Sequence, residues 1–140
     1  MSAPLVSRDA PTASEPAPSV ATRHLEALAA GVPEPMFMLD AEAVILLANR
    51  AAAEVFGHSA EELQGRSVTA LLPEHLRRSH QVALRRCLSR GIARGRRDIE
   101  VPGLRRDGTL IPLDVSIGQL ELDGARVFTC IARDISRRKE

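Results

Sequence analysis

Tryptophan and tyrosine are absent and phenylalanine occurs three times, so a pocket in this chain has few aromatic walls against which a flat cofactor could stack. Lysine occurs once, at Lys139, and arginine carries almost all of the positive charge. The formal net charge is only +1, which gives no global attraction to nucleic acid. No apolar run approaches the roughly 20 residues that span a bilayer. The longest tight cluster, Val44-Ile45-Leu46-Leu47-Ala48, is of strand length. Met1 reads as a natural N-terminus, and Ser2, Ala3 and Pro4 follow it rather than a basic segment and an apolar one. No secretory signal is visible, and the expected compartment is the cytoplasm. Cys87 and Cys130 belong to no CxxC or Cys/His cluster and read as buried thiols acting as small hydrophobes. His24, His58, His75 and His80 form no HExxH pair. There is no GxxxxGK loop and no GxSxG elbow. Glu61 and Glu62 are adjacent carboxylates, but on an expected exposed turn. No catalytic set emerges, and the chain is read as a binding module rather than an enzyme.

What is present suits one domain. The chain has 140 residues, of which 44% are hydrophobic and 26% charged, an ordinary globular composition. Residues 1–18 carry Pro4, Pro11, Pro16 and Pro18 among Ala and Ser, a composition that predicts a disordered tail. Residues 19–31 place Val20, Leu25, Leu28 and Ala29 at helical spacing, with Ser19 or Thr22 as cap and Gly31 and Pro33 as stop. So short a helix is marginal alone and needs a surface, its own domain or a second copy. Met36–Leu39 and Val44–Ala48 read as a hairpin through Asp40–Ala43. Asn49 caps a short helix that Gly57 ends, and Ser59 with Glu62 forms a capping box. Val68–Leu72 is a further helical piece. Pro73 opens the longest helix as its first residue, which runs to Arg90 and stops at Gly91, with Leu76, His80, Ala83, Leu84, Cys87 and Leu88 on one stripe. Three strands follow: Asp98–Leu104, Thr109–Leu120 with strict alternation at Ile111, Leu113, Val115 and Ile117, and Arg126–Arg133 after an Asp123-Gly124 turn. Strands, then helices, then strands predict an α+β domain, an antiparallel sheet with helices on one face.

Four segments, in order, carry a family resemblance. Ile45–Gly57 is similar to "xxxxNxAxxxxFG", Ser59–Arg66 to "SxEELxGR", Arg105–Thr109 to "RRDG[ST]" and Ala132–Ser136 to "xRDI[ST]". Together they resemble the PAS domain from about Leu25 to Glu140. The resemblance implies the PAS fold, a five-stranded antiparallel sheet with short helices packed on one face and an N-terminal flanking helix. The expected layout is a tail at 1–18, a flanking helix at 19–31, a PAS domain at 32–136 and the start of a linker at 137–140. It further implies sensing and homodimerisation, with an output domain in cis or a partner protein in trans. A sensor kinase, a cyclic-dinucleotide enzyme and a transcription regulator are the usual outputs, and a longer parent chain is the favoured context. Asp134 and Ser136 are good caps for a following helix, through which strain in the last strand could leave the domain.

Leu71–His80 also resembles the matching segment of the FixL oxygen-sensor kinases. There the histidine that matches His80 is the axial ligand of haem iron, so the resemblance implies haem b as a candidate cofactor with His80 on the metal. Val115 and Ile117 match apolar positions of the gas side. Ile99 stands where those domains carry a distal arginine, and Ala83 where they carry an aromatic residue. The candidate cofactor-binding set is therefore His80, Leu84, Ile99, Val115 and Ile117, with Arg77, Arg78 and Arg97 as propionate partners should haem bind. The other readings of His80 are a small-ligand contact and a core histidine satisfied by backbone or water. A cofactor-free module for protein interaction and dimerisation is the alternative function. Neither cysteine has the setting of the flavin-binding "NCRFLQ" motif. The Arg85–Arg97 run lacks stacking aromatics, so it reads as a solvated face and no nucleic-acid or membrane partner is expected.

Overall fold

Asp40 starts the first reversal of the chain. Its Oδ1 accepts from the amides of Glu42 and Val44 at 2.8 and 3.0 Å, which holds the turn between β1 (Met36–Leu39) and β2 (Ile45–Ala48). In this computed structural model the described residues are Arg23, 27–92 and 96–139, the side chains of 96–98, 138 and 139 excepted. The expected tail at 1–18, the caps Ser19 and Thr22, and Val20 and Leu25 lie outside them. Arg23 and residues 27–30 are helical.

The helices follow their caps. Asn49 Oδ1 accepts from the amide of Ala52 at the start of α1 (Arg50–Phe56), and Gly57 closes it at φ +80°, a conformation that suits glycine. The capping box of α2 (Ala60–Leu63) is complete, with Ser59 and Glu62 each accepting from the other's backbone N–H. A 3₁₀ turn spans Val68–Leu71. The long helix α3 runs Glu74–Arg90. Pro73 is its N-cap rather than its first helical residue: ψ is still extended at 147°, while its carbonyl already accepts from the Leu76 amide at 2.9 Å.

The later strands are longer than the sequence suggests. They are β3 (Arg96–Leu104), β4 (Leu110–Leu122) and β5 (Ala125–Asp134). A backbone ladder continues past the alternating residues wherever the neighbouring strand supplies partners, and β4 and β5 pair down to Leu122 and Ala125 at the Asp123-Gly124 turn. Both turn residues have positive φ, +52° and +79°, the geometry that matches strand twist. The sheet is five-stranded, in the order β2-β1-β5-β4-β3, with every pairing antiparallel. A last helix, α4 (Ser136–Lys139), follows β5 directly. Among the described residues no helix is long and apolar enough to cross a membrane.

The core lies between the helices and one sheet face. Phe37, Leu39, Ile45, Phe56, Leu63, Leu88, Ile111 and Phe128 are its most enclosed side chains. Helix α3 is an uneven partner in it. Leu88 is its buried residue, whereas Ala83, placed on the core stripe by periodicity, is exposed. Cys130 is buried as expected, but Cys87 is only half-buried.

Candidate functional site

Strand register builds one wall of a chamber. Ile99 pairs with Val115, and Val115 with Ala132, across β3, β4 and β5. Val101 pairs with Leu113, while Ile117 pairs with Cys130 and Cys130 with Phe37. Side chains directly opposite in a sheet share a face, and all of these line a single cavity of about 200 Å³. The opposite wall is α3, through His80, Ala83, Leu84 and Cys87, and the end is closed by Thr69, Leu71 and Leu72 near the 3₁₀ turn. His80, Leu84, Ile99, Val115 and Ile117 are thus brought together around one space.

Helix α3 is anchored toward both of its ends. At its start, the Arg77 Nε donates to Leu72 O at 2.9 Å and Pro73 is buried. Toward its end, Leu88 and Ile92 are buried and the Ile92 amide donates to Gln119 Oε1 of β4. Arg85 forms an ion pair with Glu42 in the β1–β2 turn. Between these anchors His80, Ala83, Leu84 and Cys87 line the space, with Leu84 and Cys87 packed against the core at its edge.

The lining is almost wholly apolar and holds no Asp, Glu, Lys or Arg. Its polar members are Thr69, His80, Cys87 and Cys130. Thr69 Oγ1 is paired with Ser67 Oγ at 2.8 Å. Burial pushes the Cys130 thiol up to about 12, so it stays protonated and is a weak partner. His80 Nδ1 lies 3.1 Å from the Leu76 carbonyl. A carbonyl only accepts, so Nδ1 carries the hydrogen, and in the neutral ring Nε2 holds a lone pair. The imidazole is the distinctive chemistry of the lining, and sequence periodicity alone could not assign its tautomer.

The haem implied by the resemblance meets only part of what it needs. A lone pair on Nε2 suits a proximal iron ligand. The volume does not suit the group, because about 200 Å³ is below the roughly 300–1,000 Å³ typical of pockets for drug-sized ligands. No arginine lines the chamber, and Ile99 stands beside Val115 on the sheet wall. Arg77 is turned back to Leu72 O, and the Arg97 side chain lies outside the described residues. In this conformation the residues do not fit haem.

One residue matters more than its sequence signal suggested. Asn49, 5% exposed, is more than a cap. Its Oδ1 accepts from the Met36 and Ala52 amides at 3.0 and 2.9 Å. Its Nδ2 lies 3.0, 3.3 and 3.0 Å from the carbonyls of Ala29, Val32 and Glu34. It ties the flanking segment, the edge of β1 and the first turn of α1 into one joint.

Comparison with known proteins gives a consistent answer. The family model described as "PAS fold" matches residues 23–135. The sensor protein FixL of Bradyrhizobium diazoefficiens is 33% identical over 121 residues, which covers 84% of this chain and 23% of that protein. This chain therefore spans about a quarter of the length of that relative. Among solved structures, the PAS domain of an HTR-like protein from Haloarcula marismortui superposes with a TM-score of 0.68 at 27% identity, covering 82% of this chain and 92% of that one. The PAS domain of nitrogen regulation protein NR(II) from Vibrio parahaemolyticus gives 0.61 at 22% identity, covering 79% and 97%.

Proposed function

Because this chain belongs to the PAS family, a fold of sensory modules, we propose that it senses a small molecule held in the chamber between α3 and the sheet. The observation that carries the proposal is the apolar void of about 200 Å³ in a core that close packing would otherwise fill. His80, Leu84, Ile99, Val115 and Ile117 are the proposed contacts.

The exit route follows the same strands. Cys130 and Ala132 of β5 line the chamber. Two residues on, Asp134 Oδ1 accepts from the Ser136 amide and hydroxyl at 2.9 and 2.6 Å, a side-chain turn at the start of α4. The Ile135 amide donates to Pro112 O at 3.0 Å, next to the chamber residue Leu113. A ligand that displaces the β4–β5 floor bears on that turn and hence on the direction of α4. The proposed recipient is an output domain in cis or a partner protein in trans, of the sensor-kinase, cyclic-dinucleotide or transcription-regulator kind. The chain itself acts without catalysis in this reading.

The test is a toluene titration followed by ¹H–¹⁵N NMR. An apolar cavity of about 150 Å³ holds benzene, so toluene suits this one. Shifts at the amides of Ile99, Val115 and Ile117 that extend along β5 to Ser136 are expected. No shift at chamber residues would overturn the proposal. Haemin added to wild type and to His80→Ala checks the haem alternative, with no sharp Soret band expected. A sharp band lost in His80→Ala would replace the small ligand by haem.

A second reading, a ligand-free dimerisation module, is favoured by Leu28. It is 68% exposed in the helical stretch that precedes the sheet, which leaves a large apolar side chain uncovered. In that reading two copies pair through the flanking helix at 19–31.

A further inference from the structure

The chamber has an almost wholly apolar lining, one imidazole, and no Asp, Glu, Lys or Arg. From these three features we infer the class of its ligand: a neutral molecule about the size of one aromatic ring that carries a single hydrogen-bond donor, such as a phenol. The inference rests on the chamber being a ligand site, as proposed above, and it adds the chemistry of recognition.

Size sets the first term. About 200 Å³ exceeds the roughly 150 Å³ that accepts benzene by about the room for one or two substituents, and it falls short of multi-ring ligands. Charge sets the second. A carboxylate or ammonium group inside would face a lining with no Asp, Glu, Lys or Arg, and an unpaired buried charge is strongly disfavoured. Polarity sets the third. The Thr69 hydroxyl is engaged with Ser67, the Cys130 thiol is held protonated by burial, and thiols, Cys87 included, bond weakly. His80 Nδ1 is committed to Leu76 O. Nε2 has no protein partner among the described residues, and in the neutral ring it accepts. A ligand with a donor satisfies it, whereas a ligand with only an acceptor sets lone pair against lone pair. The i to i−4 bond within α3 thus selects the ligand by holding the tautomer.

Four single-ring probes test this by isothermal calorimetry and NMR: toluene, phenol, anisole and benzoate, on wild type and His80→Leu. The expected result is that toluene, phenol and anisole bind wild type and benzoate does not. In His80→Leu the ratio of phenol to anisole affinity falls by about tenfold, the size of one hydrogen bond, with toluene retained or improved. Comparing the same two probes in both proteins cancels their different cost of leaving water. If the variant does not fold, the wild-type ¹⁵N imidazole signals decide: phenol, and not anisole, moves Nε2. An unchanged phenol to anisole ratio in His80→Leu, an Nε2 signal that ignores phenol, or benzoate binding as tightly as phenol overturns the inference and leaves the chamber as a ligand site. No binding by any probe overturns the sensing proposal with it.

Discussion

Replacing Asn49 with Asp separates two accounts of this residue. As a helix cap alone, Asp serves as well as Asn, and Asn49→Asp would be neutral. As a joint it would not. The change keeps both bonds to Oδ1, from the Met36 and Ala52 amides, and removes the donor that serves Ala29, Val32 and Glu34. An amide nitrogen has two hydrogens for these three carbonyls, so about two full bonds are lost, each worth roughly 0.5–1.5 kcal/mol. A carboxylate oxygen is then pressed toward carbonyl oxygens in a site 5% exposed, which adds desolvation and repulsion. The expected loss is about 2–4 kcal/mol, a large part of the roughly 5–15 kcal/mol of a typical domain. Asn49→Ala also leaves the Ala52 and Met36 amides without their acceptor and is expected to cost about 3–5 kcal/mol. Urea denaturation with an unchanged slope is the assay. Asn49→Asp within about 0.5 kcal/mol of wild type would refute the joint and leave only a cap.

Three further outcomes are expected. Glu62, Asp107 and Asp134 are all held below the usual carboxylate range, by the Ser59 amide with the Arg106 guanidinium, by the Thr109 hydroxyl and amide, and by the Ser136 hydroxyl and amide respectively. Each native value is depressed, so this stability is present above the ordinary carboxylate range near 4 and is lost as pH falls through the native values. Thermal midpoints should drop below about pH 4, and a flat profile down to pH 2 would contradict those bonds. Gly103→Ala would set a Cβ 2.7 Å from Leu113 Cδ1 and 3.0 Å from Phe56 Cε1, both chamber residues. It should cost about 1–3 kcal/mol in urea and weaken toluene binding, and an unchanged toluene affinity would show that neither side chain moves inward. In the dimerisation reading, Leu25→Glu with Leu28→Glu should lower the light-scattering mass from dimer to monomer, whereas an unchanged mass would remove residues 19–31 from self-association.

The fold was legible wherever its cause is local. The Asn49 cap, the Ser59–Glu62 box and the Asp123-Gly124 turn each need only a few neighbouring residues, and each is found where the sequence places it. The alternation of Ile111, Leu113, Val115 and Ile117 reports burial on one face, and all four are buried. Boundaries were less legible because a ladder ends where its partner ends. Leu122 stays in β4 because Ala125 pairs with it, not because of its own side chain. The carbonyl bonds of Asn49 join residues 15, 17 and 20 positions away, and no local pattern announces them.

The chamber is the hardest feature to read from sequence, because a void is a sum over elements that no single element displays. Helical periodicity assigns His80, Ala83, Leu84 and Cys87 to the inward stripe, and strand alternation assigns Val115 and Ile117 to the inward face. Both assignments hold equally for a packed core and for an empty one. What decides is the standoff of α3, fixed by Leu88, the Ile92–Gln119 bond and the Arg85–Glu42 pair at one end and by Arg77 and Leu72 at the other. With the ends fixed, a small residue such as Ala83 leaves space rather than drawing the helix inward. Ala83 is exposed and yet lines the chamber, so it stands at the rim and its size governs both volume and access. Ala83→Leu should therefore reduce toluene affinity without the stability loss of a core overpacking. An equal affinity for toluene in that variant would place the entrance elsewhere and detach the standoff of α3 from the origin of the void.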